Sequence, residues 1–288
     1  MTQELLGKPV ASKIYTEIKE QLAEYPFTPK LAIILIGHDP ASEFYAQNLV
    51  KKGKKVGIEV QKLLYDSQVS ESEILDKISE LNLDKHVYGI IVQKPLPQHF
   101  DESALNLAID PFKDVDAFHP VNIGNMVLEQ AGFIPSTPAA VLEMIRYYKI
   151  ETNSKHVVIL GRSNVVGKPL ANLLIRKNET GNATVTVCHS RTASLSEVTK
   201  TADILVAAIG QPEFVTAEMI KKNCVIIDVG VNRIITDTGA KKYVGDVDYQ
   251  KCYEKSSMIT PVPGGVGSVT TAMLLKNILK SIKMTYER

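Results

Sequence analysis

Short apolar runs alternate regularly with amphipathic segments along this chain, and this alternation restricts the folds open to it. The apolar runs are rich in β-branched residues and several end in glycine: LAIILIG, YGIIVQ, HVVILG, ATVTVCH, DILVAAIG and CVIIDVG. Between them, apolar residues recur every three or four positions, as at Val10, Ile14, Ile18 and Leu22, which is typical of helices. This alternation predicts βαβ units and a mixed α/β fold built on mainly parallel sheets.

The alternation occurs in two blocks, and Pro135 and Pro138 mark the boundary between them. A chain of 288 residues is long enough for two domains, each with its own core. We therefore predict a first domain over residues 1–138 and a second over 139–267. A last helix is predicted over about 269–283, with Ser268 as its N-cap. Periodicity alone leaves open which domain this helix packs against.

The charge balance and the cysteines exclude several classes of partner. The chain has 33 basic and 32 acidic residues and a net charge of +1, so it lacks the electrostatic footprint of a nucleic-acid-binding protein. No apolar run approaches the roughly 20 residues that span a bilayer, and the first residues resemble neither a signal nor a transit peptide. We expect a cytoplasmic protein with no membrane partner. The three cysteines are widely spaced, which predicts neither a disulfide framework nor a metal site.

The segment HVVILGRSNVVGKPL predicts a strand, a glycine-containing turn and the start of a helix, where backbone N–H groups favour a phosphate. Gly161, Ser163 and Gly167 form a G-x-S-x-x-x-G pattern, which differs from both the usual dinucleotide fingerprint and the P-loop. Taken alone, the pattern fits a tight turn without a ligand as well as it fits a dinucleotide site.

The end of the following strand favours the dinucleotide site. Many dinucleotide-binding folds place an acid there to hold the ribose hydroxyls, whereas this chain has Ser190 and Arg191. A hydroxyl and a cation suit a 2′-phosphate, and Arg162 is a second candidate for the same charge. The sequence therefore favours NADP over NAD.

Three further motifs each allow two interpretations. KDVDAFHP contains Asp114, Asp116 and His119, and a polar turn with an aspartate cap explains it without a ligand. IVQKPLPQ places Gln93 and Lys94 at the carboxyl end of a strand, which fits a ligand site or a rigid loop. TPVPGGVG offers unhindered amides for a flat ring, or forms an ordinary flexible turn.

The order of these motifs is specific even though each is weak by itself. With DPASEFY, IDVGVNR and GDVDY they make the chain resemble the methylenetetrahydrofolate dehydrogenase/methenyltetrahydrofolate cyclohydrolase family over nearly its whole length. The resemblance implies an N-terminal α/β catalytic domain, a Rossmann-type NADP-binding domain, and a cleft between them for the tetrahydrofolate substrate. It also implies a homodimer, and a C-terminal helix, residues 268–288, that packs back on the first domain.

The resemblance also implies roles for individual residues. It places the pterin-holding carboxylate at Asp116, the active-site tyrosine at Tyr45 and the active-site glutamine at Gln93. The further substrate ligands that it implies are Asp114, Pro263, Gly264 and Gly265. The cofactor ligands that it implies are Gly161, Arg162, Ser163, Val166, Gly167, His189, Ser190, Arg191, Gly210 and Val231.

One position departs from the family pattern. The lysine credited with cyclohydrolase activity stands four residues after the tyrosine, one helical turn along the same face, and here that position is Leu49. Lys52, two turns after Tyr45, and Lys94, where the family commonly has leucine, are the catalytic candidates to replace it. We predict an NADP-dependent dehydrogenase whose cyclohydrolase activity is weak or absent unless one of these lysines substitutes. Lys51, Lys54 and Lys55 are predicted to be solvated helix surface.

Two other functions fit parts of the pattern. One is an NADP oxidoreductase of another small substrate, which the KDVD and VQxPLP signatures disfavour. The other is a folate- or NADP-binding protein that has lost catalysis, and only Leu49 supports it. Retention of Tyr45, Gln93 and Asp116 disfavours this second alternative.

Overall fold

A computed structural model of the protein describes residues 2–236 and 239–286. The chain divides into two compact units: unit 1 comprises Met1–Ser12 and Pro135–Thr270, and unit 2 comprises Lys13–Ile134 and Thr271–Arg288. Both contain parallel strands flanked by helices, so the predicted α/β class is confirmed. The predicted outer limits at residues 1 and 288 lie outside the described residues. No helix in the described ranges is both long enough and apolar enough to cross a membrane.

The strands in chain order are β1 (Gln3–Glu4), β2 (Lys30–Ile36), β3 (Glu59–Tyr65), β4 (Val87–Val92), β5 (His156–Leu160), β6 (Thr184–Cys188), β7 (Ile204–Ala207), β8 (Cys224–Asp228), β9 (Asn232–Ile235), β10 (Lys241–Val244) and β11 (Ser256–Ile259). The helices are α1 (Gly7–Leu22), α2 (Pro40–Val56), α3 (Glu71–Leu83), α4 (Glu102–Ala108), α5 (Pro120–Val127), α6 (Ser136–Tyr147), α7 (Gly167–Leu174), α8 (Leu195–Thr199), α9 (Tyr249–Tyr253) and α10 (Val266–Tyr286). A short 3₁₀ helix covers Ala217–Met219.

Unit 2 is built on a three-stranded parallel sheet in the order β3-β2-β4. Every residue of β4 is buried, and β2 is buried from its second residue onward. Continuous burial of this kind explains the unbroken apolar runs LAIILI and VYGIIV, because helices cover both faces of a parallel sheet. One core cluster joins these strands to Ile74, Ile78 and Leu81 of α3.

Helix α10 contributes its later turns to unit 2. Asn277 is buried and its side-chain amide donates to the carbonyls of Val115 (2.7 Å) and Ile134 (3.2 Å). Gly89 of β4 leaves room for the helix, since a Cβ there would lie 2.4 Å from Ile278 Cδ1 and 3.0 Å from the Val115 methyl groups. The helix and the strand therefore pack closely because position 89 has no side chain.

Unit 1 is built on a six-stranded parallel sheet in the order β1-β11-β8-β7-β5-β6. After the edge strand β1, the chain returns to this sheet at β5, adds β6 on one side, and then crosses to the other side for β7, β8 and β11. The strand order thus reverses between β5 and β7, which is the point where open α/β sheets bind ligands beyond the carboxyl ends of their strands. Strands β9 and β10 form a separate antiparallel hairpin.

Two sequence predictions are corrected here. Residues 1–12 were assigned to the first domain, but they belong to unit 1 because Gln3 and Glu4 pair with Met258 and Ile259 of β11. Ser268 is not the N-cap of the last helix, since α10 begins at Val266 and Ser268 lies in its first turn. Its amide donates to the carbonyl of Gly265, so the helix begins directly after the paired glycines.

We expect Gly89→Ala to lower the stability of unit 2. The added methyl group overlaps Ile278, and overpacking of a core typically costs about 1–3 kcal/mol. Gly124→Ala is the matched control: nothing lies within 4 Å of a Cβ at this helical position, so it should be neutral or stabilising by about 0.5–1 kcal/mol. Urea unfolding measures the stability of both variants. Equal unfolding midpoints would contradict the close packing of Ile278 against position 89.

Candidate functional site

The start of α2 is tied to the loop that follows β4. Asp39 caps the helix by accepting from the Ser42 amide (2.8 Å), and Pro40 occupies the first helical turn. The Ser42 hydroxyl lies within hydrogen-bonding distance of both the Asp39 carboxylate (2.7 Å) and the Lys94 carbonyl (3.0 Å). The motif DPASEFY therefore forms the start of a helix, and the hydroxyl of Ser42 in its first turn bonds to the Lys94 carbonyl.

One face of α2 carries Tyr45, Leu49 and Lys52, at helical positions i, i+4 and i+7. Leu49 is completely buried, whereas Tyr45 and Lys52 are half-buried. The Lys52 ammonium lies 5.3 Å from the centroid of the Tyr15 ring on α1. The other lysines of this stretch, at positions 51, 54 and 55, are exposed, as the sequence predicted.

The loop after β4 presents Gln93 and Lys94. The Gln93 amide donates to the Lys94 carbonyl (3.0 Å), and the Gln93 backbone N–H continues the sheet by donating to Ile34 (2.9 Å). The Lys94 ammonium pairs with Glu102 at the start of α4 and lies 4.0 Å from the centroid of the Phe118 ring. Lys94 is thus held next to the KDVDAFHP loop.

Asp114 organises that loop from inside. It is 3% exposed, and its carboxylate accepts from the amides of Phe118 (3.1 Å) and His119 (2.8 Å) and from the Asn122 side chain (2.8 Å). Burial raises the pKa of Asp114, although these hydrogen bonds oppose the rise. The loop uses three acceptor positions of this carboxylate, which favours a structural role over the predicted contact with substrate.

Asp116 has the opposite surroundings. Its carboxylate has no hydrogen-bond partner among residues 2–236 and 239–286. Burial, and then the negative charge of Asp114, raise the pKa of Asp116 to about 7 against the lowering effect of Lys94. Asp116 is half-buried, and an acid with a strongly raised pKa whose oxygens have no partner among the described residues is a candidate ligand-binding group.

Electrostatic interactions link Tyr45 to this acid. Burial is the main cause of the raised pKa of Tyr45, and the negative charge of Asp116 and the neighbouring Tyr15 add to it. Unit 2 thus brings together four predicted residues: Tyr45, Gln93, Lys94 and Asp116. Lys52, the fifth, lies along α2 beside Tyr15.

The turn between β5 and α7 in unit 1 depends on two glycines. Gly161 has φ +121°, and a Cβ there would lie 2.2 Å from the Ala208 carbonyl oxygen. A Cβ at Gly167 would lie 2.0 Å from the Gly161 carbonyl oxygen, so strand, turn and helix approach as closely as backbones can. Ser163 closes the turn by accepting from the Val166 amide (3.1 Å). Val166 precedes the helix and Gly167 is its first residue.

A cavity of about 350 Å³ lies beyond β5, β6 and β7, at the point where the strand order reverses. Five of the predicted cofactor ligands line it: Gly161, Arg162, Ser163, His189 and Ser190. Arg191 is exposed beside it and donates its amide to the His189 ring (3.1 Å). Val231 follows β8, is 59% exposed and does not line this cavity.

The cavity also has a wall that the sequence analysis missed. This wall comes from residues that follow β7 and from α8: Leu195, Ala208, Ile209, Gln211 and Phe214. The predicted Gly210 stands among them, with φ +66°. The end of the run DILVAAIG could have predicted this wall, because residues that follow neighbouring parallel strands meet at one edge of a sheet.

Two buried aspartates order the loops on that side of unit 1. Asp246 accepts from the amides of Ile209 (2.7 Å) and Gly210 (3.0 Å), and Asp228 accepts from the amides of Gly230, Asp246 and Val247. Burial raises the pKa of Asp228 to about 7. The motifs IDVGVNR and GDVDY therefore supply internal hydrogen bonds to the loops beside the cavity.

The glycine-rich segment before α10 also belongs to unit 1. Gly264 has φ +111°, and its carbonyl accepts from the amide of Gly7 (2.7 Å). A Cβ at Gly7 would lie 2.0 Å from the Gly265 carbonyl oxygen, so these two segments make direct backbone contact. Gly264 and Gly265 thus have a packing role in addition to the substrate contact predicted for them and for Pro263.

Two family models match the chain. The model described as tetrahydrofolate dehydrogenase/cyclohydrolase, catalytic domain, matches residues 5–116, and the NAD(P)-binding domain of the same description matches residues 135–286.

Curated relatives cover nearly the whole chain. A protein named bifunctional protein FolD from Prosthecochloris aestuarii is 47% identical over 289 residues, which cover 97% of this chain and 98% of the relative. The protein of the same name from Chlamydia felis is 48% identical over 280 residues, covering 96% and 97%.

Solved structures are also similar to this protein over nearly the whole chain. The bifunctional FolD methylenetetrahydrofolate dehydrogenase/cyclohydrolase from Campylobacter jejuni has a TM-score of 0.93 at 40% identity and covers 99% of both chains. The Trypanosoma brucei FolD structure, complexed with NADP cofactor and inhibitor, has a TM-score of 0.93 at 34% identity, covering 100% of this chain and 99% of that one.

The raised pKa of Asp116 predicts a pH dependence of stability. The folded-state pKa of about 7 exceeds the ordinary value of about 4. The contribution of this carboxyl to the free energy of unfolding is therefore fully present below about pH 4 and is lost as the pH rises through 7. Asp116→Asn should therefore flatten the decline in the free energy of unfolding between about pH 4 and 7.

Urea unfolding at several pH values measures the slope, with Asp76→Asn, at an exposed position of α3, as the control. The control should run parallel to the wild type, while Asp228 keeps its own contribution in all three proteins. If the free energy of unfolding of Asp116→Asn declined with pH as steeply as that of the wild type, the raised pKa of Asp116 would be contradicted.

Proposed function

The chain belongs to the tetrahydrofolate dehydrogenase/cyclohydrolase family, and from this premise we propose that it oxidises 5,10-methylenetetrahydrofolate to 5,10-methenyltetrahydrofolate with NADP as the hydride acceptor. The observation that carries the proposal is the match of both family domains, in order, along one chain that covers nearly all of its bifunctional relatives. The reaction belongs to one-carbon metabolism.

Asp116 is the proposed anchor of the folate. A carboxylate accepts two hydrogen bonds from an amino-pyrimidine edge, and this one has its acceptor positions free within the described residues. Tyr45 and Gln93 are the proposed neighbours of the reacting ring. Tyr45 lies within electrostatic range of Asp116, and Gln93 bonds to Lys94, whose charge lowers the pKa of Asp116. A contact of Pro263, Gly264 and Gly265 with substrate stays a prediction of the family resemblance.

The residues around the unit 1 cavity fit NADP. The close turn at Gly161 and Gly167 leaves backbone amides accessible to a pyrophosphate, and Ser163 and Ser190 add hydroxyl groups. Arg162 and Arg191 are exposed, and neither guanidinium forms an ion pair within the described ranges, so both are available to a 2′-phosphate. Bound NADP supplies the hydride-accepting nicotinamide.

The dehydrogenase step requires the side chains to position the substrate and not to transfer a proton. Hydride transfer requires the folate and the nicotinamide to be held at near-attack distance, and positioning of this kind is a large part of enzymatic rate enhancement. It needs no proton donor. Tyr45, Gln93 and Asp116 meet this demand by orienting the folate, so the substitution at position 49 does not remove a group that the step uses.

Hydrolysis of the methenyl product makes different demands. A water must be activated and the opening ring must gain a proton, work for which a positioned acid or base contributes about 10²–10⁴-fold. Leu49 is completely buried and has no group that does either. We propose that the cyclohydrolase activity of this chain is weak.

A fully bifunctional enzyme is the second candidate, and one observation favours Lys94 over Lys52 as the replacement amine. The charge of Lys94 lowers the pKa of Asp116, which places the ammonium within electrostatic range of the proposed folate anchor. Lys52 lies instead over the Tyr15 ring. Because Lys94 pairs with Glu102, it has to exchange that partner for water or folate in order to act.

Assembly and location complete the proposal. We propose that the protein is a homodimer and acts in the cytoplasm, and the family resemblance supports both statements. A binding protein without catalysis and an oxidoreductase of another small substrate remain the alternatives, and measured turnover of methylenetetrahydrofolate separates the proposal from both.

We expect the purified protein to form NADPH from NADP and 5,10-methylenetetrahydrofolate. Replacing both Arg162 and Arg191 by alanine should raise KM for NADP about 10²- to 10⁴-fold and leave the activity with NAD unchanged, because hydrogen bonds to charged groups contribute about 1.5–3 kcal/mol each. Arg233→Ala, at an exposed position of β9, is the control and should behave as the wild type.

Absorbance of NADPH at varied cofactor concentrations gives these constants. Wild-type protein that forms no NADPH from this substrate would exclude the dehydrogenase. If the double variant lost activity equally with NAD and with NADP, Arg162 and Arg191 would not bind the 2′-phosphate. That result would leave the dehydrogenase proposal intact.

For hydrolysis, we expect wild-type protein to accelerate the decay of methenyltetrahydrofolate only slightly over buffer. Leu49→Lys should raise that rate by about 10²-fold or more, because it restores a positioned amine. Leu49→Met, which conserves volume without an amine, is the matched control and should leave hydrolysis slow. Retained dehydrogenase activity confirms that each variant is folded.

Fast hydrolysis by the wild type, unchanged in Leu49→Lys, would refute the loss of cyclohydrolase activity. If that fast hydrolysis disappeared in Lys94→Ala but not in Lys52→Ala, Lys94 would be the replacement amine. The converse result would assign the role to Lys52.

A further inference from the structure

Asp246 is a buried acid that joins two separate segments of unit 1. It is completely buried, and one of its carboxylate oxygens accepts from the amides of Ile209 (2.7 Å) and Gly210 (3.0 Å). The other oxygen accepts from the side-chain amide of Asn232 (2.8 Å). The first two donors belong to the loop that follows β7, and the third is the first residue of β9. One carboxylate therefore ties the two segments together.

The backbone next to Asp246 is in direct contact with its side chain. A Cβ at Gly230 would lie 2.2 Å from the Asp246 Cγ, so a side chain at position 230 would displace the carboxylate. The Asp246 amide donates to the Asp228 carboxylate (3.1 Å), which also accepts from the Gly230 amide (3.0 Å). Asp228 thus fixes the backbone on both sides of this contact, and Asp246 carries the link on to the loop after β7.

The two joined segments carry predicted cofactor ligands. Ile209 lines the cavity of about 350 Å³, and Gly210 follows it with φ +66°. Val231 lies in the other segment, directly before Asn232. Asp246 is not among the residues that line the cavity, so it acts on a bound cofactor only through these neighbours.

We propose that Asp246 is a positioning residue for the dinucleotide and holds the segments of Gly210 and Val231 at the spacing that the bound cofactor requires. Each of its oxygens serves one segment, so a single carboxylate sets their separation. Neither segment carries the arginines proposed for the 2′-phosphate, and the effect of Asp246 therefore extends equally to NADP and NAD. This inference rests on the proposed function and adds a residue that supports the same site.

The test exchanges the two side chains that share a hydrogen bond. In Asn232→Asp, two carboxylates face each other across the two segments. The Kd of NADP and the Kd of NAD, measured by calorimetry, should both rise about 3- to 10-fold, because binding then has to order the separated segments. KM for methylenetetrahydrofolate should not change.

The double variant Asn232→Asp/Asp246→Asn should rescue binding. The new amide at position 246 donates to the new carboxylate at position 232, and its oxygen accepts from Ile209 and Gly210. Both Kd values should return to within about twofold of the wild type, because the paired changes restore the coupling that the single change removes. Double-variant Kd values that stay as high as those of Asn232→Asp would overturn the proposal.

Thr152→Val is the matched control for a purely structural loss. The Thr152 hydroxyl is completely buried in unit 1 and donates to the Gly181 carbonyl (2.8 Å), and neither residue lines the cavity. This variant should lower the melting temperature and leave both Kd values unchanged. The same result for Asn232→Asp would overturn the proposal. If Asn232→Asp does not fold, Asn232→Ala removes the link without adding a charge, and its Kd values decide in the same way.

The proposed function and this inference fail differently. Wild-type protein that binds neither NADP nor NAD would refute the proposed function. If the wild type binds NADP and Asn232→Asp binds both cofactors as tightly, only the role of Asp246 fails. A loss of affinity restricted to NADP would also overturn it, since the joined segments would then act on the 2′-phosphate alone.

Discussion

Hydrogen bonds from backbone N–H groups to buried carboxylates are the interactions on which both candidate sites depend. The loops that follow parallel strands carry N–H groups with no partner in the sheet, and in this protein aspartates accept from them. Asp114 does so in unit 2, and Asp228 and Asp246 do so in unit 1. Desolvation of these acids costs stability, and each recovers part of that cost through two or three hydrogen bonds. The loops thereby hold Asp116 and Gly210 in fixed positions.

The two neighbouring acids of the KDVDAFHP loop differ in their hydrogen bonding. Asp114 and Asp116 are two residues apart, yet one uses its oxygens within the loop and the other has them free among the described residues. The sequence KDVD shows that two carboxylates share a loop, and it does not show which of them faces inward. That choice follows from the positions of Phe118, His119 and Asn122, which only the folded chain brings to Asp114.

Periodicity predicted strands β2 and β4 to β8, because burial on both faces makes parallel strands uniformly apolar, but it missed β11. It could not predict β1, whose two residues are polar and pair with β11 about 250 positions away. The start of α10 was also missed, because glycines that pack against Gly7 look the same in sequence as flexible ones.

Leu49 separates the two activities of the family in physical terms. Hydride transfer requires orientation, the role proposed for Tyr45, Gln93 and Asp116, whereas hydrolysis requires a group that moves a proton, which a buried leucine lacks. The most direct test measures NADPH and methenyltetrahydrofolate together while the wild-type protein oxidises methylenetetrahydrofolate. We expect the two products to accumulate in equal amounts, apart from the hydrolysis seen in buffer. NADPH formed without accumulation of the methenyl product would contradict it and show an efficient cyclohydrolase.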